Sequence, residues 1–282
     1  MTTTETQEPV GIVGAGRMGL AMLKHLVAAG YPVIACDMNE TQRDLAREAG
    51  AEIAATPAEL GSRAAFVIIG VGFDEEARTV IEGEDGLLTS MQPGGVIAVC
   101  STVSPATVRA LGAKAAEKGI GTLDAPICRG RWAADAGELL ALLGGTDEVV
   151  ERSRPIFSTF CSDIAHLGEI GHGQVAKTMN NLLLWVNGVA LIEAGRLAET
   201  TGIDLVKLRE ALLISSGNSA ALEDWDMISF TWALKDMQIV AEMADEAKLS
   251  MPVAGAIREL VKDARRIKAS SPPAWTGKTP AN

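Results

Sequence analysis

The sequence predicts an α/β fold, a doubly wound and mostly parallel sheet, followed by a long helix and an all-α C-terminal region. Three observations carry this. From Pro9 to about residue 165, short β-branched apolar runs alternate with segments of helical period. The runs are too uniformly apolar for half-exposed strands and suit strands covered on both faces. Beyond about Ala165 no strand-like run recurs, and apolar residues return at helical spacing.

In order, the strand runs are "VGIVG", "PVIACD", "AFVIIGV", "GGVIAVCS", "GTLDAPI" and "ELLALLGG". The later ones leave room for mixed or antiparallel pairing. The helical part reads as "QVAKTMNNLLLWVNGVALIEAGRLAETTG", "LVKLREALLIS" and "ISFTWALKDMQIVAEMADEAKL". The expected organisation is a first domain over 1–165, with 1–8 frayed, and a helical domain over 166–270 that begins with an interdomain helix. Residues 271–282, rich in proline and small polar residues, are expected to form a flexible tail outside the fold, in which Trp275 can dock on a neighbour.

Composition narrows the function classes. The chain has 282 residues, 48% of them hydrophobic, and a formal net charge of -11, so no basic surface is evident for a nucleic acid and any anion must be bound locally. No apolar run reaches the length of a membrane span, because Asn187, Glu193 and Arg196 interrupt the best candidate. The N-terminal "MTTTETQEP" lacks the basic and apolar regions of a secretory signal. Cys36, Cys100, Cys128 and Cys161 have neither CxxC nor metal-type spacing. They read as reduced thiols of a cytoplasmic protein, with no disulfide and no metal.

In "VGIVGAGRMGLAMLKHLVAAG", Gly14, Gly16 and Gly19 have the G-x-G-x-x-G spacing between a first strand and a first helix. The first glycine permits the tight turn, the second lets backbone approach a pyrophosphate, and the third lets helix and strand pack closely. Ala15, Arg17 and Met18 complete this loop, so the segment predicts a dinucleotide-binding Rossmann domain with the phosphates at the helix N-terminus. Asp37 ends the second strand, where a carboxylate accepts from ribose hydroxyls and repels a 2′-phosphate; NAD is therefore favoured over NADP. Arg43, just beyond, is the counter-argument, being either a 2′-phosphate ligand or a solvated charge. A nucleotide fold that has lost its ligand is the bland alternative.

The segment "GHGQVAKTMNN" brings Lys177 into an otherwise apolar helix. Burying an ammonium is costly without a partner, so this lysine either snorkels outward or does chemistry. Lys177 and Asn181 are four apart and stack on one helix face. Ser101 and Thr102, after the fourth apolar run, fall at the sheet edge where ligands of open α/β sheets bind, or else form an ordinary turn.

The motifs "GAGRMG", "STVSP", "DAPICRG", "GHGQVAKTMNN" and "LKDM", in this order and over nearly the whole chain, resemble those of the β-hydroxyacid dehydrogenases. This group includes 3-hydroxyisobutyrate and tartronate semialdehyde dehydrogenases. The resemblance implies an NAD-dependent oxidoreductase that interconverts a small 3-hydroxy acid and its semialdehyde or ketone. It also implies domain closure over the substrate and a homodimer or homotetramer built through the helical domain. By resemblance, Lys177 is the general acid and base, and Asn181 orients lysine and substrate, with Asn180 beside it. Ser101 and Thr102 approach the nicotinamide and substrate, Lys235 lies beside cofactor and active site, and Phe230 packs nearby.

The substrate loop departs from the family pattern D-x-P-V-S-G-G, placing Cys128 at the serine and Arg129 at a glycine, with Gly130 retained. A guanidinium there offers a two-pronged site for a carboxylate or sulfonate, and the loop partly resembles that of sulfolactaldehyde reductases. A small anionic substrate is expected. Leu184 is apolar where that group tends to have a hydroxyl, and Arg131 and Trp132 either line the entrance or lie on the surface. Two rivals remain: an imine reductase, against which Lys177 speaks, and a non-catalytic dinucleotide-binding or assembly protein.

Overall fold

The computed structural model describes residues 7–278, which divide into two compact units after Lys177. Of the expected frayed leader, 1–6 lie outside the described residues, and Gln7 and Glu8 are exposed.

In the first unit, β1 (Val10–Val13), β2 (Val33–Cys36), β3 (Glu52–Ile53), β4 (Phe66–Ile69), β5 (Val96–Val99) and β6 (Gly121–Asp124) form one parallel sheet in the order β3-β2-β1-β4-β5-β6. Strands β1, β2, β4 and β5 are buried along their whole length, as runs apolar on both faces require. Two hydrophobic clusters cover the sheet, one containing Ile12, Leu23, Leu26 and Phe157, the other Val67, Ile69, Leu87 and Leu111. Strand order reverses between β1 and β4, and that switch point opens a crevice at the carboxyl ends of the strands.

The run "GTLDAPI" is split by this architecture. Its second part, β7 (Ile127–Cys128), leaves the large sheet and pairs antiparallel with β8 (Leu139–Leu143), which pairs parallel with β9 (Cys161–His166). Neither β3 nor β9 stands out in the sequence, since β3 has two residues and β9 reads "CSDIAH", with Ser162 and Asp163 exposed.

The helices are α1 (Arg17–Ala28), α2 (Glu40–Glu48), α3 (Pro57–Gly61), α4 (Asp74–Glu82), α5 (Pro105–Ala116), α6 (Gly130–Ala136), α7 (Asp147–Phe157), α8 (His172–Glu199), α9 (Leu205–Leu213), α10 (Ala220–Glu223), α11 (Ala233–Ala247) and α12 (Pro252–Ser270). Side-chain N-caps start several of them: Asn39 for α2, Thr56 for α3, Ser104 for α5, Thr146 for α7 and Asp204 for α9. No helix among the described residues is long and apolar enough to cross a membrane.

Among the described residues the second unit has no strand. Its core gathers Trp185, Leu222, Trp225, Phe230, Met237, Val261 and Trp275. The expected long third helix starts later than its sequence pattern, at Ala233, because Phe230 takes a left-handed backbone (φ 55°). The expected free tail is corrected over its described part. Trp275 is completely buried, its Nε1 donates to Leu191 O at 3.1 Å, and Lys278 and Thr276 both bind the Asp226 carboxylate. Gly195 makes the docking possible, since a Cβ there would lie 2.4 Å from the Pro273 ring. Trp275→Ala is expected to destabilise the protein by about 3–5 kcal/mol, as for other buried tryptophans. Urea unfolding checks this, and a loss below about 1 kcal/mol would return the tail to the surface.

Candidate active site

The glycine loop has the geometry that its spacing predicts. Gly14 has φ +93°, and a Cβ on Gly19 would fall 1.9 Å from Gly14 O, so neither position accepts a side chain. Gly16 is different in kind: a Cβ there meets nothing within 4 Å. Its bareness answers no protein neighbour and leaves a backbone cradle at the start of α1, where amides and helix dipole favour a phosphate. The loop therefore fits a dinucleotide. Ala15 is fully buried and Met18 packs on the core, so their contribution to such a ligand is backbone. Arg17 instead makes a two-pronged pair with Asp135 of α6, which holds that carboxyl below the ordinary aspartate range.

Asp37 ties the second strand to this loop. Its Oδ2 accepts from Ala15 N at 2.7 Å, and its Oδ1 accepts from Asn39 N at 2.8 Å. The Arg43 guanidinium donates through Nη1 to the carbonyls of Asp37 and Met38, both at 2.9 Å, so it serves the backbone turn after β2.

At the switch point, Ser101 is buried and its Oγ accepts from Val71 N at 2.8 Å, joining the ends of β4 and β5. Thr102 is half-buried. The start of α8 is held against β6 by a completely buried carboxylate, Asp124, which accepts from Gly171 N and Gln174 N, both at 2.6 Å. Burial raises the Asp124 pKa despite these two donors. The close approach explains the second glycine of "GHG": a Cβ on Gly173 would lie 2.2 Å from Leu142 O and 2.8 Å from the Asp124 carboxylate. His172, between the glycines, is exposed.

One turn further, Lys177 is half-buried and neither snorkels free nor lies unpartnered. Its Nζ donates to Ile127 O at 2.8 Å and lies 3.7 Å from Cys128 Sγ. The thiol at the serine position thus touches the lysine.

Arg129 requires a correction. It has a left-handed backbone (φ 81°), which suits the glycine it replaces, and its Nη1 is committed to Asp163 at 2.7 Å, Ser162 Oγ at 2.8 Å and Glu138 O at 3.1 Å. One nitrogen of the fork expected for a substrate anion is thus held by β9 and the β8 approach, and the guanidinium keeps the Asp163 carboxyl below its ordinary range. Gly130, Arg131 and Trp132 are exposed.

In the second unit, Asn181 is buried and its Oδ1 accepts from Nδ2 of the exposed Asn180 at 3.0 Å. Lys235 is half-buried on α11, with Nζ 5.7 Å from the Trp232 ring centroid. Asp236, ambiguous in sequence, is buried and accepts from Trp185 Nε1 at 2.9 Å. Phe230, expected beside the cofactor, is 1% exposed and packs on Trp185 with ring centroids 5.4 Å apart and the planes tilted by 37°. Its ring is packed within the second unit instead of being held out to a ligand.

Two buried residues that frame the site, Asp124 and Gln174, are not singled out by the sequence. Their signal was present in part, as an acidic residue opening "DAPICRG" and an amide between two site motifs. Among the described residues no group of three or more His, Cys, Asp and Glu side chains forms a candidate metal site.

A cradle of this kind at the switch point of a parallel sheet defines a dinucleotide-binding protein. Residues 9–168 match the family described as the NAD binding domain of 6-phosphogluconate dehydrogenase. Residues 171–271 match the NAD-binding domain of NADP-dependent 3-hydroxyisobutyrate dehydrogenase. The chain is similar to the NAD-dependent L-serine dehydrogenase of Pseudomonas aeruginosa, 35% identical over 76% of this chain and 72% of that protein. It is also similar to the L-threonate dehydrogenase of Cupriavidus necator, 30% identical over 89% of this chain and 88% of that one. Among solved structures, Mycobacterium tuberculosis 3-hydroxyisobutyrate dehydrogenase with L-serine superposes with a TM-score of 0.83, at 25% identity over 91% of this chain and 93% of that chain. The chain belongs to the β-hydroxyacid dehydrogenase family, and it is an NAD-binding dehydrogenase of hydroxy acids.

Proposed function

We propose that the protein interconverts a small 3-hydroxy acid and its semialdehyde or ketone, with NAD(H) preferred over NADP(H) and Lys177 as the proton-transfer group. The single observation that carries this reading is the placement of Lys177, half-buried on α8 with Nζ anchored to the substrate-loop carbonyl of Ile127. When bound, the nicotinamide supplies or accepts the hydride. Lys177 gives a proton to the substrate oxygen during reduction and takes one during oxidation. Asn181, one helical turn on, orients the same oxygen through its carboxamide, while Thr102 and Lys235 contact cofactor and substrate.

Preference for NAD rests on Asp37, whose carboxylate repels a 2′-phosphate, and on the commitment of Arg43 Nη1 to backbone carbonyls. The relatives named for L-serine, L-threonate and 3-hydroxyisobutyrate suggest a substrate with its hydroxyl at C3. We also read the protein as a cytoplasmic homo-oligomer. Its four cysteines are free, and the second unit exposes Leu183, Leu197 and Ile214, which a second copy would cover.

The test is turnover of the purified protein with NAD and NADP on a panel of 3-hydroxy acids, with semialdehydes and sulfolactaldehyde in the reverse direction. NAD-linked oxidation of one or more 3-hydroxy acids is the expected result. Tight NADH binding without turnover on any of them would sink the reading and favour a non-catalytic role. Arg129→Gly, run alongside, is expected to leave the ranking of anionic substrates unchanged, because the guanidinium is clamped to Asp163. A shift toward less anionic substrates would restore Arg129 as an anion ligand and favour a hydroxy sulfonate.

A further inference from the structure

We infer that Gln174 is a positioning residue for proton transfer, clamping the loop that carries Thr102 to the helix turn that carries Lys177. The inference rests on the proposed role of Lys177. Gln174 is completely buried on the first turns of α8. A buried carboxamide is tolerated only where its donor and acceptor are both satisfied. Here Oε1 accepts from Val103 N at 3.1 Å, and Nε2 donates to Ser101 O at 2.7 Å. These two bonds grip the backbone on either side of Thr102 and fix the direction in which that residue is presented.

The grip belongs to a larger frame. Ser101 Oγ ties the same loop to Val71 after β4, and Asp124 at the end of β6 accepts from Gln174's own backbone N–H. The turn of α8 around Gln174 is thus held by the carboxyl ends of β4, β5 and β6 together. Lys177 follows three residues later, on the adjacent turn of the same helix. All these groups lie in the first unit, with the glycine loop. The side chain at 174 therefore sets where the proton donor stands relative to the segment that meets the nicotinamide. Only an amide suits: methionine leaves Val103 N and Ser101 O unsatisfied, and an ionised glutamate has no donor for Ser101 O.

The test uses Gln174→Met and Gln174→Glu, with kcat, KM, NADH affinity and thermal melting measured on each. Gln174→Met is expected to lower kcat about tenfold to a hundredfold, as misplacement by about an ångström does, with KM and NADH affinity within about twofold. Gln174→Glu is expected to be slow at neutral pH and to recover as pH falls. Burial and the neighbouring Asp124 carboxyl raise the affinity of that glutamate for a proton, and the protonated carboxyl again donates to Ser101 O while accepting from Val103 N. The unaltered protein gives no such acid-side rise. Loss of activity only in proportion to loss of folded protein, or a rise in KM at constant kcat, overturns the inference. A normal kcat in Gln174→Met beside an inactive Lys177→Ala defeats the inference alone. Full activity in Lys177→Ala defeats the reading beneath it.

Discussion

Lys177→Ala is expected to lower kcat by about 10²- to 10⁴-fold, the usual contribution of a positioned general acid or base. NADH affinity should stay close to that of the unaltered protein. The Lys177 side chain reaches Ile127 O and the Cys128 thiol, whereas the glycine loop is held by Asp37 and by its own close packing. The groups proposed for cofactor binding and for proton transfer are thus different side chains of one unit. Steady-state kinetics together with NADH fluorescence titration separate them. A fall in kcat of less than about tenfold would remove Lys177 from the chemistry. A parallel loss of NADH binding would show that it supports the cradle.

The second large effect concerns two glycines three residues apart. Gly19→Ala places a methyl 1.9 Å from Gly14 O, a backbone atom that can move only with the whole loop. Lost stability of about 1–3 kcal/mol or more is expected, with NADH binding lost in the same variant. Gly16→Ala meets no protein atom within 4 Å and is expected to melt with the unaltered protein. Its NADH affinity should nevertheless fall by about tenfold or more, equivalent to about 1.4 kcal/mol, because the methyl occupies the approach of the pyrophosphate. Calorimetry with and without NADH reads both quantities. Unchanged NADH affinity in Gly16→Ala would show that the phosphates lie elsewhere.

Much of the first unit was legible because its strands announce themselves. Runs such as Val33–Cys36 and Phe66–Ile69 are apolar on both faces, and glycines mark the one turn that a dinucleotide requires. The elements that escaped have no apolar signature. Strand β9 has one buried residue, Cys161, followed by two exposed polar residues and three half-buried ones, yet it supplies Ser162 and Asp163, the partners that hold Arg129. A guanidinium at a substrate-loop position looks like an anion site until its distant partner is known. Gln174 was hidden for a similar reason: its partners Ser101 and Val103 lie 73 and 71 positions away, and nothing in a helical segment marks one glutamine as buried. The C-terminal tail misled through its composition. Proline and small polar residues suggest disorder, but a single tryptophan with a slot opened by Gly195 is enough to dock it.

The uneven placement of cysteine and tryptophan makes the chain its own pair of optical and chemical reporters. All four cysteines, Cys36, Cys100, Cys128 and Cys161, lie buried in the first unit. Burial pushes the Cys36 thiol up to about 11, the Cys161 thiol up to about 12, and the Cys100 thiol well above its ordinary value. The native thiols of Cys36, Cys100 and Cys161 are therefore poor nucleophiles, and exposure returns these three to the reactive range near about 8.5. Four of the five tryptophans lie in the second unit, with Trp185, Trp225 and Trp275 buried, while Trp132 of the first is already 46% exposed. Pulsed thiol labelling therefore times the opening of the dinucleotide unit, while indole emission times the opening of the helical one. Unfolding of each half is readable through residues the chain already carries, without an engineered probe.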